Sequence, residues 1–228
     1  MMLPNRRRNL LSAIGFASVF LACSARSSFA EMKFFDFSGY AYLSGPPARV
    51  GTVTTVAAKF NTIQPNPVWP LELLDKEYTV MIRDLKIASV DASGSFQVIT
   101  YSGGTIEVHA DPAKNASWAP NPPNGSVPST FLDGGADLIG VFTEMTLYFS
   151  TNNGTGTVSG LVNWEGGSRR AGMANPFGWT VFGGVSNHDG LGIPVGYDLA
   201  WDPQLYGPEI PSPVEIRSWG AVKAAFRR

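Results

Sequence analysis

Few side chains in this sequence are placed to do chemistry, and their spacing limits what that chemistry can be. Glu107, His109 and Asp111 alternate along Glu107-Val108-His109-Ala110-Asp111, so an extended backbone puts all three on one face. Such a face could hold a metal ion, or simply form the polar outer side of a strand. The other histidine, His188, lies in Asn187-His188-Asp189-Gly190, which has the oxygen-rich composition of a calcium loop and equally of a turn. Asp133-Gly134-Gly135-Ala136-Asp137 sets two carboxylates either side of a flexible turn. These segments make Asp133, Asp137 and Asp189 the candidate ligands for calcium, the one cofactor that the residues suggest, against the plainer reading of both as turns.

Nucleophilic catalysis finds little support. There is no Gly-x-Ser-x-Gly elbow, and Cys23 is the only cysteine. Glu107, Glu144 and Glu165 lie in or beside expected strands, but a glycosidase-type carboxylate pair is defined by separation in space, which the sequence does not state. Six tryptophans are present, most of them expected in the core or at its rim. Trp118 stands apart, in a Pro- and Asn-rich connection between Asp111 and Thr130, and is the candidate binding residue, a stacking surface for a glycan.

The N-terminus reads as an export signal over residues 1–30. Arg6-Arg7-Arg8 is a positive start, Leu10 to Ala22 an apolar run too short to anchor in a bilayer, and Ser28-Phe29-Ala30 a small-x-small cleavage site. Arg7-Arg8-Asn9-Leu10-Leu11 also fits a twin-arginine signal, so both export routes stay open for a periplasmic or extracellular protein. Cleavage removes Cys23, leaving no disulfide, and leaves 13 basic against 18 acidic residues, a net charge of −5. With no basic stripe to neutralise phosphates, nucleic acid is excluded as an expected partner; a glycan or cell-surface partner is not.

The elements that must position these residues read as strands. Phe35, Phe37, Ala41 and Leu43 alternate with Asp36, Ser38, Tyr40 and Tyr42, with Gly39 marking an expected bulge. A β-branched run ends at Ile63, and in Tyr78 to Val90 the apolar phase slips at Arg83-Asp84, which a bulge there would repair. Ser102-Gly103-Gly104 predicts a tight hairpin between Phe96–Tyr101 and Thr105–Ala110. Further strands follow over Asp137–Ser150, Thr155–Trp164, Phe177–Val185 and Tyr197–Trp201, the last stopped by Asp202-Pro203. Eight or nine strands with turn signals at short spacing predict an all-β antiparallel sandwich or jelly roll over residues 31–207.

Residues 208–228 break the pattern. Pro208, Pro211 and Pro213 make a stiff linker, and Ser212-Pro213-Val214-Glu215 fits a capping box that opens a short C-terminal amphipathic helix carrying Trp219 and Phe226. Trp219-Gly220-Ala221-Val222-Lys223-Ala224-Ala225-Phe226-Arg227 resembles the W-G-x-V-K-x-x-F-R type ending of uncharacterised exported bacterial proteins. That resemblance implies a tail that travels with surface or secreted proteins. The expectation for the whole is an exported, non-catalytic β-sandwich with a structural or surface-interaction role; a carbohydrate-binding module and a carboxylate-dependent hydrolase are the alternatives.

Overall fold

The computed structural model describes residues 32–63, 75–118, 129–187 and 192–208. The export signal at 1–30, the helix expected within 209–228, and His188 with Asp189 lie outside the described residues. Among those that are described, no helix is long and apolar enough to cross a membrane.

The described residues are all-β, with nine strands: β1 (Met32–Leu43), β2 (Val53–Ile63), β3 (Glu77–Ser93), β4 (Phe96–Ser102), β5 (Thr105–Asp111), β6 (Gly135–Ser150), β7 (Thr155–Gly166), β8 (Trp179–Ser186) and β9 (Leu199–Gly207). Every pairing is antiparallel, each strand except the β4–β5 pair lies beside its sequence neighbours, and β9 returns to pair with β1. The expected sandwich or jelly roll is therefore corrected to a closed barrel. Closure of the ring leaves no stave with an unpaired edge, which is how a chain this rich in strands avoids sticking edge to edge.

Nine strands make eight staves, because β4 and β5 lie end to end. Both pair with the 17-residue β3 on one side and the 16-residue β6 on the other, and they run in the same direction. The hairpin expected at Ser102-Gly103-Gly104 is thus a kink within one stave. Gly103 and Gly104 do take positive φ, 67° and 101°, but Gly104 uses it to pass Leu85, whose Cδ2 would lie 2.5 Å from an added Cβ. Opposite the kink is the expected slip in β3: Thr54 pairs with Leu85 and Val56 with Ile82, so Arg83 and Asp84 together face Thr55, and Asp84 bulges at φ 60°.

Two other expectations are corrected. Gly39 sits in regular register against β2 and β9, and its missing Cβ instead admits the backbone of Ala57 and Ala58. Asp202-Pro203 does not stop β9, which runs through it. Pro203 faces Gly183 across β8, while the β1–β9 ladder passes from Asp36–Gln204 to Gly39–Trp201 and skips the pair at Pro203, so no N–H is missed there.

Inward positions form one continuous apolar core, and its two ends differ. At one end Phe35 stacks on Phe60 at 3.9 Å, Phe60 on Tyr78 at 5.4 Å, and Trp179 meets both Phe34 (4.7 Å) and Trp164 (6.1 Å) edge to face. Aromatic rings plug that end. Outward positions include the charged Asp36, Lys59, Arg83, Glu107 and Glu144 together with the exposed Ile139, Tyr148 and Phe182.

Candidate functional site

The end away from the aromatic plug is open. Inward residues from five strands meet there around a cavity of about 210 Å³: Leu43 of β1, Ile87 of β3, Ile99 and Tyr101 of β4, Leu147 and Phe149 of β6, and Leu199 of β9. Period two explains the convergence, since Ile99 and Tyr101 are two apart, as are Leu147 and Phe149, so each pair looks into the same space. A bulge in β6 at Thr143, where Phe142 pairs with Val162 and Glu144 with Leu161, sets the phase of that strand. It turns Ile139 and Val141 outward while Met145, Leu147 and Phe149 point inward.

The lip of the mouth is the connection from Ser44 to Thr52, which contributes Pro47 and Ala48 to the cavity wall. It is tied down on several sides. Gly51 N donates to Ile87 O and Ile87 N to Thr52 O, both at 2.9 Å, Thr52 Oγ1 donates to Pro46 O at 3.0 Å, and Leu43 N donates to the Asp198 carboxylate at 2.7 Å. Polar groups at the opening are Gln97, Thr151, Asn187 and the Tyr101 hydroxyl. Burial pushes the Tyr101 phenol up from its ordinary value, with the Thr54 hydroxyl partly offsetting this, so it stays a neutral donor and acceptor. The wall thus combines aliphatic and aromatic surface with a few neutral hydrogen-bonding groups.

The outer face of β3, β5 and β6 carries the ionisable groups. Glu107 binds Arg83 on one carboxylate oxygen and faces His109 Nε2 at 3.1 Å on the other. His109 Nδ1 lies 3.0 Å from Gly134 O and donates to it, since a carbonyl can only accept. Burial alone would raise the Glu107 carboxyl, but the hydrogen bonds from His109 and Arg83 and the Arg83 charge together hold it below the ordinary value. The set ties the turn before β6 onto β5. Asp111, on the same face, caps the following segment by accepting from Ala113 N at 2.8 Å and Asn115 N at 3.3 Å. Glu107, His109 and Asp111 therefore do share a face, and all three are engaged in holding the chain in place.

Trp118 is seated on the barrel wall. Its Nε1 donates to Ala57 O at 3.0 Å, and its ring packs on Phe131 and Tyr40 beside a small outer cluster of Ala57, Met81, Ala116 and Phe131. Of the calcium candidates, Asp137 accepts from Ser168 Oγ at 2.8 Å and pairs with Arg169 at 3.1 Å, whereas Asp133 is met by Asn115 Nδ2 at 3.1 Å. The two carboxylates serve different partners. No group of three or more His, Cys, Asp or Glu placed to hold a metal occurs among the described residues.

The residues around the mouth carried no chemical signal in the sequence. Ile99, Leu147 and Leu199 fall there simply within expected strands, because a lining residue and a packed residue have the same type and the same period. No family model, no curated protein and no solved structure matches this chain.

Proposed function

We propose that this is an exported, non-catalytic binding protein that holds a small, mostly apolar molecule in the open mouth of its barrel. One observation carries the reading: the inward faces plug one end with aromatic rings and leave about 210 Å³ at the other. Eight staves enclose just enough space for side chains or for one small ligand. An apolar cavity of about 150 Å³ is known to stay dry and to take benzene, so this one suits a molecule somewhat larger than a single aromatic ring. Among the described lining residues there is no carboxylate, histidine or lysine, which leaves orientation to Gln97, Tyr101, Thr151 and Asn187.

A suitable probe is 2-naphthol, a fused ring with one hydroxyl, titrated into the mature chain while the melting temperature is followed. Binding to the folded state alone should raise stability with the logarithm of free probe, by about 2.7 kcal/mol at a hundredfold excess over Kd. Gln97→Trp, which places an indole across the opening, should abolish the rise. No rise up to the solubility limit, or an undiminished rise in Gln97→Trp, overturns the reading.

A further inference from the structure

A second concavity lies outside the barrel, on the opposite side of the sheet from the mouth cavity's lining, and does not depend on the proposal above. It crosses the outer face of β1, β9, β8 and β7 and encloses about 420 Å³, within the range of about 300–1,000 Å³ usual for small-molecule sites. Its floor is made of residues with almost no side chain. Gly184 faces Asp202 across the β8–β9 ladder, with Ser186 and Ala200 beside them and Ser38 on the far side of Asp202, and a Cβ added at Gly184 would meet nothing within 4 Å.

One wall is aromatic. Tyr40 and Trp118 stand edge to face with centroids 5.2 Å apart, and Tyr197 lies 5.9 Å from Tyr40. Trp118 is held in this position by its hydrogen bond to Ala57 O and its packing on Phe131, so a ligand would not have to order it. Asp202 brings a carboxylate to the groove, and that carboxylate has no hydrogen-bond or ion-pair partner among the described residues. The neighbouring Ser38 hydroxyl is partly engaged: its Oγ donates to Asn61 Oδ1 at 3.0 Å, which leaves its lone pairs to accept.

This combination selects a ligand class. A flat floor with an aromatic wall suits a ring whose C–H faces are apolar, and acceptor oxygens at the rim suit a ring edged with hydroxyl donors. Among the described residues that line the groove the one charged group is the anion of Asp202, and Lys59, which lies 5.2 Å from the Trp118 ring, is already paired with Glu77 at 2.7 Å. An acidic ligand would therefore be repelled. We propose that the groove is a subsite for a neutral saccharide, with one pyranose ring packed between the glycine floor and the Tyr40–Trp118 wall and its hydroxyls donating to Asp202.

The test is calorimetric titration of the mature chain with neutral hexasaccharides (cello-, malto-, manno- and N-acetylchito-hexaose) and with an acidic hexagalacturonate. At least one neutral sugar should bind at millimolar concentration or below and more tightly than the acidic one. Asp202→Ala and Gly184→Leu, the latter filling open space, should each weaken it about tenfold or more with unchanged cooperative melting. Gln97→Trp, at the barrel mouth, should leave it intact. Failure of every neutral sugar to bind, preference for the acidic one, or binding that survives both groove variants overturns the proposal. Loss of 2-naphthol binding in Gln97→Trp would bear only on the mouth.

Discussion

Adjacent glycines in β8 offer a test of one of the barrel's tightest backbone contacts, with its own control built in. Gly183 faces Pro203 across the β8–β9 ladder, and a Cβ there would lie 2.2 Å from Pro203 Cα, 2.5 Å from Asp202 O and 2.9 Å from Pro203 N. All three are backbone atoms of a strand held on both sides by β8 and β1, so no side chain can swing away to relieve the clash. Overpacking of a tightly packed site costs about 1–3 kcal/mol and occasionally more, and a clash with backbone belongs at the upper end. Gly183→Ala should therefore destabilise by about 3 kcal/mol. Gly184, the next residue, points into open space, and Gly184→Ala should be neutral or gain about 0.4–1 kcal/mol from the reduced freedom of the unfolded chain. For a domain of this size the first change lowers the melting temperature by about 6–12 °C, while the second moves it slightly upward. Thermal and urea melts of the two variants side by side provide the measurement. If Gly183→Ala melts within a degree of the parent, Pro203 does not pack on Gly183 and the continuous β9 assigned here is wrong.

Three further outcomes follow from the outer face. Because Glu107 is held below the ordinary carboxyl value in the folded state, its ionised form contributes stability that is complete above the unfolded value and is lost as the pH falls through the lowered one. Melting temperature should thus drop as the pH goes below about 4, and Glu107→Gln should flatten that part of the profile. Trp118→Ala removes the bond to Ala57 O and the packing on Phe131 and should cost about 2–4 kcal/mol, less than a fully buried tryptophan, with protease cleavage between 112 and 131 as the second readout. Asp137 is neutralised by Arg169, so EDTA should leave the melt unchanged, whereas Arg169→Ala should lower it; a calcium-dependent melt would instead assign these carboxylates to an ion.

Local patterning determined the strands and much of their orientation. In β1 the alternation of Phe35, Phe37, Ala41 and Leu43 with polar residues marks the inward face because successive side chains must point to opposite sides. The slip at Arg83-Asp84 is legible for the same reason: a phase error within one strand can only be repaired by an extra residue. What could not be read locally are the choices between partners. Gly103-Gly104 offers positive φ to a hairpin and to a kink alike, and the kink wins because β3 and β6 are long enough to pair with both β4 and β5. Asp202-Pro203 looks like a stop until Gly183 is set opposite it and the β1 ladder skips that pair.

Ring closure is the largest decision of this kind. It rests on β1 meeting β9, strands more than 150 residues apart in the chain, and nothing in either sequence separates a strand that closes a barrel from one that borders a sandwich. The mouth cavity inherits that illegibility. Ile99, Leu147 and Leu199 are inward residues by their own pattern, but whether an inward residue is packed or lines a space depends on how many side chains arrive at the same level from the other staves. At one end Phe35, Phe60, Tyr78 and Trp179 fill the ring, and at the other the arriving side chains, Tyr101 and Phe149 among them, surround a space instead of filling it.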